Sequence, residues 1–289
     1  MEFNFETLLK LKKDVRKAEV ILTDKEARYI VDLYYTLQDN RIASEGQIRA
    51  IDKPTFYDEA GKKRKPTKEE EAAYIPEPHE NLDAFKDMFD TLESNMVSIL
   101  KNYAANHPIG DWLMSITGIG PVLAAGLLAH IDITQCPTAG HIWSYAGLNP
   151  EQKWEKKTKR PWNAQLKTLC WKIGESFVKV SNNPNDVYGK LYKQRKEYEQ
   201  VKNEAGEYAE QAKRKLTETK IGKDTDAYKS YIIGKLPPAH IQSRSKRYAV
   251  KIFLSHLHEY WYEHHYGQKP PAPYPIAILG HAHKIDKPE

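Results

Sequence analysis

Apolar residues recur at steps of three and four along most of the chain. Residues 82–103 place an apolar side chain at nearly every such step, which predicts an amphipathic helix. The same spacing predicts further helices at 5–22, 24–48, 162–180, within 188–219 and over 237–260. Capping, proline and glycine signals predict others at 67–71, from 121 onward and over 138–145. No stretch shows the regular alternation of a set of strands. The expected fold class is therefore all-α, a helical bundle.

The helices before residue 51 are expected to pair with each other. Thr23 and Glu26 fit a capping box, in which each side chain satisfies a free N–H group at the start of a helix. The apolar seam that follows predicts an N-terminal helical hairpin or coiled coil, while simple bundle packing explains it equally well. A homo-oligomer joined through these helices is one expectation. We divide the chain into an N-terminal helical region (1–110), a central domain (111–180) and a C-terminal helical region with a proline-rich tail (181–289).

Two glycines near the middle of the chain enclose a single apolar residue. Gly118 and Gly120 flank Ile119, and Pro121 suits the first turn of a following helix. Because glycine adopts backbone angles that side chains forbid, both glycines predict a tight reversal with exposed N–H groups. Those groups, with the positive end of the next helix, form a seat for a phosphate. The pattern predicts a helix-hairpin-helix that grips a nucleic-acid backbone, or a tight turn that binds nothing.

Positive charge is concentrated just after this turn. The whole chain carries a net charge of +5, and residues 151–180 carry the same excess, with eight lysines and arginines against three glutamates. A basic patch of this kind is typical of nucleic-acid binding, although a solvated basic loop has the same composition. Trp154, Trp162 and Trp171 flank the patch and are able to stack on bases. For Trp171 a place in the core is the favoured interpretation.

The turn and the basic loop supply the candidate nucleic-acid-binding residues. These are Thr117, Gly118, Ile119, Gly120, Lys153, Trp154, Lys156, Lys157, Lys159, Arg160, Trp162 and Lys167. DNA is the expected partner, and RNA is left open. Contacts of this kind hold the backbone of a nucleic acid and carry no sequence information by themselves.

Other chemical signals are weaker. Four histidines lie between 256 and 265, but the four-residue step of helical zinc sites is missing, so surface histidines are expected. Cys136 and Cys170 are too few for a disulfide scaffold or a zinc site by themselves. Neither a metal nor a cofactor is expected. Since no apolar run approaches the ~20 residues of a membrane span and the N-terminus lacks the apolar core of a signal peptide, we expect a cytoplasmic protein without membrane contact.

Two motifs resemble a known family. Residues 116–121 read Ile-Thr-Gly-Ile-Gly-Pro, with Ala124-Ala125 behind them, and residues 143–150 read Trp-Ser-Tyr-Ala-Gly-Leu-Asn-Pro. In order and spacing they resemble the C-terminal domain of insertion sequence 110 family transposases, over residues 112–177. The resemblance implies a mobile-element protein of DNA recombination. In that family a RuvC-like nuclease domain comes first, a serine nucleophile follows the Gly-Leu-x-Pro motif, and full-length members are guided by a bridge RNA.

The sequence departs from this family pattern in two places. The N-terminal region has no strand-rich segment to carry acidic metal ligands, so we expect the nuclease domain to be absent. Residues 151–157 contain no serine; Thr158 is the nearest hydroxyl, and Ser144 and Ser176 are the nearest serines. A serine nucleophile needs an activating base, which the spacing does not supply. We therefore assign no catalytic residue.

Two functions remain open at this stage. The first is a transposase-related DNA-binding protein without autonomous catalysis. The alternative is an active transposase, recombinase or nuclease that uses an unrecognised hydroxyl or a partner's nuclease domain. The missing serine and the missing nuclease domain favour the first.

Overall fold

The computed structural model describes residues 22–51, 53–74, 80–271 and 285–288. Regular structure in this part of the chain is almost entirely helical, so the expected all-α fold is confirmed. In chain order the elements are α1 (Asp24–Ile48), β1 (Phe56–Tyr57), β2 (Lys63–Arg64), α2 (Lys68–Ala73), α3 (Glu80–Ala105), α4 (Gly110–Ser115), α5 (Pro121–His130), α6 (Ala139–Tyr145), α7 (Ala164–Val180), α8 (Tyr188–Glu204), α9 (Ala209–Glu218), α10 (Asp226–Ile232) and α11 (Pro238–Tyr266). The strands form one small antiparallel pair.

The chain forms two compact units, one ending at Tyr103 and the other beginning at Ala104. The three-part division of the sequence stays a prediction. The helix expected at 5–22 lies outside the described residues, as does most of the proline-rich tail. None of the described helices is both long and apolar enough to cross a membrane.

The first unit joins α1 to α3. The capping box at the start of α1 is confirmed, because the Glu26 carboxylate accepts from the Thr23 N–H at 2.8 Å and the Thr23 hydroxyl accepts from the Glu26 N–H at 3.4 Å. Further along, Arg41 Nε donates to Glu93 Oε1 at 2.7 Å. Glu93 is buried, so this charged pair fixes the register between the two helices.

The second unit is built around α11, which packs against α6, α7 and α8. Phe177, Tyr188 and Phe253 meet at its centre with ring centroids 5.0–5.4 Å apart. The apolar face predicted for α7 is confirmed, since all its members are buried. They are Leu166, Leu169, Cys170, Ile173 and Phe177. This face fixes the orientation of α7, and with it the basic loop that precedes the helix.

Two short helices were not anticipated. α4 lies between the long helix α3 and the glycine turn, so α4 is the helix that enters the turn. Gly110 begins it in close contact with α3, where an added Cβ would lie 1.7 Å from the Ala104 carbonyl oxygen. α10 is capped by Thr225, whose hydroxyl accepts from the Tyr228 N–H at 3.2 Å. Both helices are too short for a clear apolar period.

The expectation of surface histidines is wrong for two of the four on α11. His256 and His258 are 3% and 2% exposed. The Tyr188 hydroxyl lies 2.9 Å from His256 Nδ1, and His258 Nε2 donates to the Cys136 carbonyl oxygen at 2.8 Å. These two positions fall on the face that α11 turns toward the core. A buried imidazole is tolerated there because its hydrogen bonds offset the cost of removing it from water.

Candidate nucleic-acid interface

The turn between α4 and α5 depends on the first of its two glycines. Gly118 has φ +95°, in the region that favours glycine. A Cβ at this position would lie 3.1 Å from Val180 Cγ2 and 3.3 Å from Phe177 Cδ1, both on the last turns of α7. Ile119 is buried, and its N–H donates to the Ile116 carbonyl oxygen at 2.9 Å. The predicted tight reversal is confirmed at Gly118.

The same expectation is wrong for Gly120. This residue has φ −84° and ψ 175°, an extended conformation that any residue adopts, and it forms the N-cap of α5. No atom lies within 4 Å of a Cβ added there. Gly120 therefore leaves open space at the N-terminus of α5 instead of relieving strain in the turn.

Two side-chain hydroxyls attach the turn to neighbouring segments. Ser176 Oγ donates to the Gly118 carbonyl oxygen at 2.6 Å. Thr117 Oγ1 donates to the Asn185 carbonyl oxygen at a longer 3.4 Å. Ser176, one of the two serines nearest the expected nucleophile position, is thus a structural contact of the turn.

The second motif, residues 143–150, forms the base of the basic loop. Gly147 has φ +64°, and an added Cβ would lie 2.8 Å from Trp162 Cγ, so the glycine allows the indole to pack on the backbone. The loop is closed where the Asn163 N–H donates to the Tyr145 carbonyl oxygen at 2.9 Å. The motif therefore holds both ends of the loop together.

Trp154 organises the interior of the loop. Its indole N–H donates to the Thr158 carbonyl oxygen at 2.8 Å, and the Arg160 guanidinium lies 5.0 Å from its ring centroid. Thr158, the hydroxyl nearest the expected serine, donates through Oγ1 to the Glu155 carbonyl oxygen at 2.7 Å. Lys157 adopts φ +72°, which is uncommon for a residue with a side chain. These contacts give a charged loop a defined shape.

The cations of the loop face solvent. Lys153, Lys156, Lys157, Lys159 and Arg160 are all exposed. Within the described parts of the chain, no carboxylate forms an ion pair with any of them. Unpaired, exposed cations next to one another attract phosphates by Coulomb forces that are strong at low salt.

Lys167 and Trp162 continue this surface onto α7. The Lys167 ammonium lies 3.9 Å from the Trp162 ring centroid. Burial of the side chain and the nearby positive charges of Arg247 and Arg160 lower the pKa of Lys167. Crowding of like charges without a described anion is a property of polyanion sites.

The turn and the basic loop lie at opposite ends of α7. The turn packs on Ser176 and Val180 near the C-terminus of the helix, and the loop ends at its N-cap, Asn163. At 1.5 Å per residue, the two places are separated by roughly 20 Å along the helix. They are adjacent in sequence but form two separate patches of the surface.

Trp171 is exposed, contrary to the expectation that it belongs to the core. Its exposed fraction is 59%. Leu169, Cys170 and Ile173 occupy the buried face of α7, and Trp171 projects to one side of that face. Trp154 and Trp162 are engaged by loop contacts, which makes Trp171 the most exposed of these three indoles.

These features define an all-α protein that carries a glycine turn between two helices and a shaped, exposed basic loop. Residues 110–181 match a family of proteins, the transposase IS116/IS110/IS902 family. The matched quarter of the chain contains the turn, the basic loop and α7, and it confirms the resemblance inferred from the two motifs. The helices α8 to α11 lie beyond it. No curated protein and no solved structure matches the chain.

Proposed function

We propose that the chain binds DNA through contacts to the sugar-phosphate backbone, made chiefly by the basic loop at 153–160. The observation that carries this proposal is the set of five exposed cations without a described carboxylate partner, inside a segment that matches a transposase family. Backbone phosphates are the dense array of anions that such a loop fits. RNA offers the same phosphates, and the assay below includes it.

The turn at 117–120 is proposed as a second contact, of the helix-hairpin-helix kind. The space beside Gly120 lies at the N-terminus of α5, where the helix dipole and the free N–H groups of the first turn favour an anion. The ~20 Å of α7 between the residues that hold the turn and the end of the loop corresponds to about six base pairs of B-form DNA at 3.4 Å per step. The two patches therefore reach different phosphates.

We further propose that the chain does not cut DNA by itself. The hydroxyls of Ser176 and Thr158 both donate to backbone carbonyl groups, and Ser144 Oγ accepts from the Asn149 amide at 3.3 Å. A nucleophile needs a base positioned to take its proton, and these three hydroxyls are instead held by contacts that shape the loop and the turn.

An active recombinase is the second candidate, and the family match favours it. It requires an unrecognised hydroxyl or a nuclease domain supplied by a partner. Incubation of the chain with end-labelled DNA and Mg²⁺ separates the two candidates. Intact DNA and no covalent protein–DNA adduct are expected, whereas cleavage or an adduct would establish the second.

A homo-oligomer joined through the N-terminal helices is proposed as well. Tyr29 and Ile42 on α1 are 66% and 51% exposed, so each leaves an apolar side chain open to a partner. Dimers are the commonest oligomers of soluble proteins. Light scattering is expected to give a mass near twice 33.4 kDa, and deletion of residues 1–50 is expected to reduce it to a monomer. A monomeric mass before the deletion would contradict this proposal.

The binding proposal is tested by fluorescence anisotropy with labelled duplexes of scrambled sequence, a four-way junction and single strands, as DNA and as RNA. Since phosphate contacts carry no base information, the affinities for the scrambled duplexes are expected to agree within about twofold. Strong discrimination among them would indicate base readout and contradict a backbone grip. Absence of binding to every substrate would overturn the proposal.

A further inference from the structure

A cleft of about 200 Å³ opens between α7 and α11. Gly174 lies where the two helices meet, and a Cβ added there would be in ordinary contact with Val250 Cγ2, at 3.4 Å. Leu148, Cys170 and Val250 give the cleft apolar walls. One wall belongs to the segment that matches the transposase family, and the other belongs to α11, beyond it.

Positive charge collects along this cleft. Lys167 on α7 and Arg247 on α11 both line it, and Lys251 follows one helical turn after Arg247. Where the structure describes the chain, no carboxylate pairs with these three, while Lys246 beside them is paired with Glu175. Burial and the charge of Arg247 both lower the pKa of Lys251. The charge of Arg247 also lowers the pKa of Lys167, and like charges that oppose one another in this way are stabilised when an anion binds between them.

An aromatic side chain completes the cleft. Trp171 lines it and is 59% exposed, with the Lys246 ammonium 5.8 Å from its ring centroid. An indole gains most from a flat apolar partner that covers its exposed ring. The cleft thus combines an open aromatic surface, apolar walls and unpaired cations.

We propose that this cleft binds one unpaired nucleotide of a nucleic-acid strand, with its base against Trp171 and its phosphate at Lys167 and Arg247. The proposal rests on the proposed function and extends it in two ways. It adds the ability to distinguish unpaired from paired nucleotides to the contacts with the backbone. It also assigns a binding role to α11, which lies outside the matched segment.

The chemistry of the cleft favours a nucleotide over a phosphate alone and over a duplex. A free phosphate has no apolar face that could stack on Trp171. The bases of a duplex are already stacked on one another and present no free face to an indole. An unpaired base of any identity stacks on an aromatic ring. The volume is below the ~300–1,000 Å³ of pockets for drug-sized ligands, which suits one base.

The test uses the full chain and an oligonucleotide of about 12 residues, within the usual site size of single-strand binders, with 2-aminopurine at its centre. The oligonucleotide is titrated as a single strand and as a blunt duplex, in DNA and RNA form. We expect quenching of 2-aminopurine emission on the single strand. Trp171→Leu and Arg247→Gln are each expected to weaken single-strand binding about tenfold, with duplex binding changed by less than about twofold. Tyr57→Leu and Arg49→Gln, both at exposed positions of the first unit, are matched controls expected to bind normally.

Each result decides the proposal, provided that thermal melting shows folded variants. The proposal is supported if 2-aminopurine emission is quenched on the single strand and the quenching is lost in Trp171→Leu. The form that shows this quenching, DNA or RNA, identifies the kind of strand that the cleft binds. Unchanged single-strand affinity in both cleft variants overturns it and leaves duplex binding by the loop intact. Equal weakening of single-strand and duplex binding also overturns it. A wild-type chain that binds no nucleic acid overturns the proposed function as well.

Discussion

Ser176 Oγ donates a 2.6 Å hydrogen bond to the carbonyl oxygen of Gly118. This bond ties the glycine turn to the last turns of α7, 58 residues further along the chain. The same packing explains why this residue is glycine, since its φ of +95° disfavours a side chain and an added Cβ would lie 3.1 Å from Val180 Cγ2. The turn is thus fixed on one side by α7 and open on the other, at Gly120.

Substitution of Gly118 is expected to destabilise the fold. Gly118→Ala forces a residue with a Cβ into the left-handed region, which costs about 1–3 kcal/mol, and it crowds Val180. Ser176→Ala removes one hydrogen bond and is expected to cost about 1 kcal/mol. Thermal or denaturant unfolding measures both. A Gly118→Ala variant as stable as the wild type would contradict the geometry described for the turn.

Gly120 allows the phosphate seat to be tested without damage to the fold. Gly120→Asp places a favourable N-cap carboxylate at the start of α5, so stability is expected to stay equal or rise by a few tenths of a kcal/mol. The same carboxylate repels a phosphate, so DNA affinity is expected to fall about tenfold. Gly120→Asn is the matched control, with the same shape and no charge. Equal DNA affinity of the Asp and Asn variants would mean that the turn serves only helix packing.

The sequence predicts the helices of this fold well where they are long and amphipathic. α1, α3, α7 and α11 follow the three- and four-residue period, and the capping box predicted at Thr23 is present. The structure has a second capping box at Thr67, at the start of α2. α4 and α10 escape prediction because six or seven residues cannot show that period, and neither helix has the capping box that marks the equally short α2. Gly118 and Gly120 are indistinguishable in sequence, and only the packing of Gly118 on α7 separates their roles.

Burial makes the stability of the fold dependent on pH through His258. Burial lowers the pKa of His258, although its hydrogen bond to the Cys136 carbonyl opposes this shift. The unfolded chain therefore binds more protons than the folded one below the ordinary histidine pKa of ~6.5, and stability falls as the pH drops from there toward the lowered value. His258→Gln keeps an N–H donor but does not titrate, so its loss of Tm between about pH 7.5 and 5.5 is expected to be smaller than that of the wild type.

A second histidine adjusts this expectation. Burial and the charges of Arg244 and Arg247 lower the pKa of His240 as well, so part of the pH dependence is expected to persist in His258→Gln. An unchanged pH dependence of Tm in that variant would show that His258 does not contribute. The exposed His264 serves as the control position, since its replacement by glutamine is expected to leave the pH dependence of Tm unchanged.

The candidate site was only partly visible in the sequence. The loop lysines and the two motifs are evident from composition and order. The turn and the basic loop are separated by the length of α7 because the turn packs on the C-terminal end of that helix. No local sequence pattern predicts this packing. Trp171 directly follows the buried Leu169 and Cys170 on α7, so its position around the helix, and not its residue type, decides that it faces the cleft. Arg247 lies 76 residues from Trp171 in sequence and reaches the cleft only through the packing of α11 on α7.

The salt dependence of DNA binding tests the central claim most directly. The logarithm of the affinity for a duplex is expected to fall with the logarithm of the salt concentration by about 0.9 for each phosphate neutralised. Lys156→Ala with Lys157→Ala is expected to weaken binding to all sequences and to reduce that slope by about 1–2. Lys220→Ala with Lys223→Ala removes the same charge from exposed positions elsewhere and is expected to leave the slope unchanged. A slope that is the same in the wild type and both double variants would contradict binding through the basic loop.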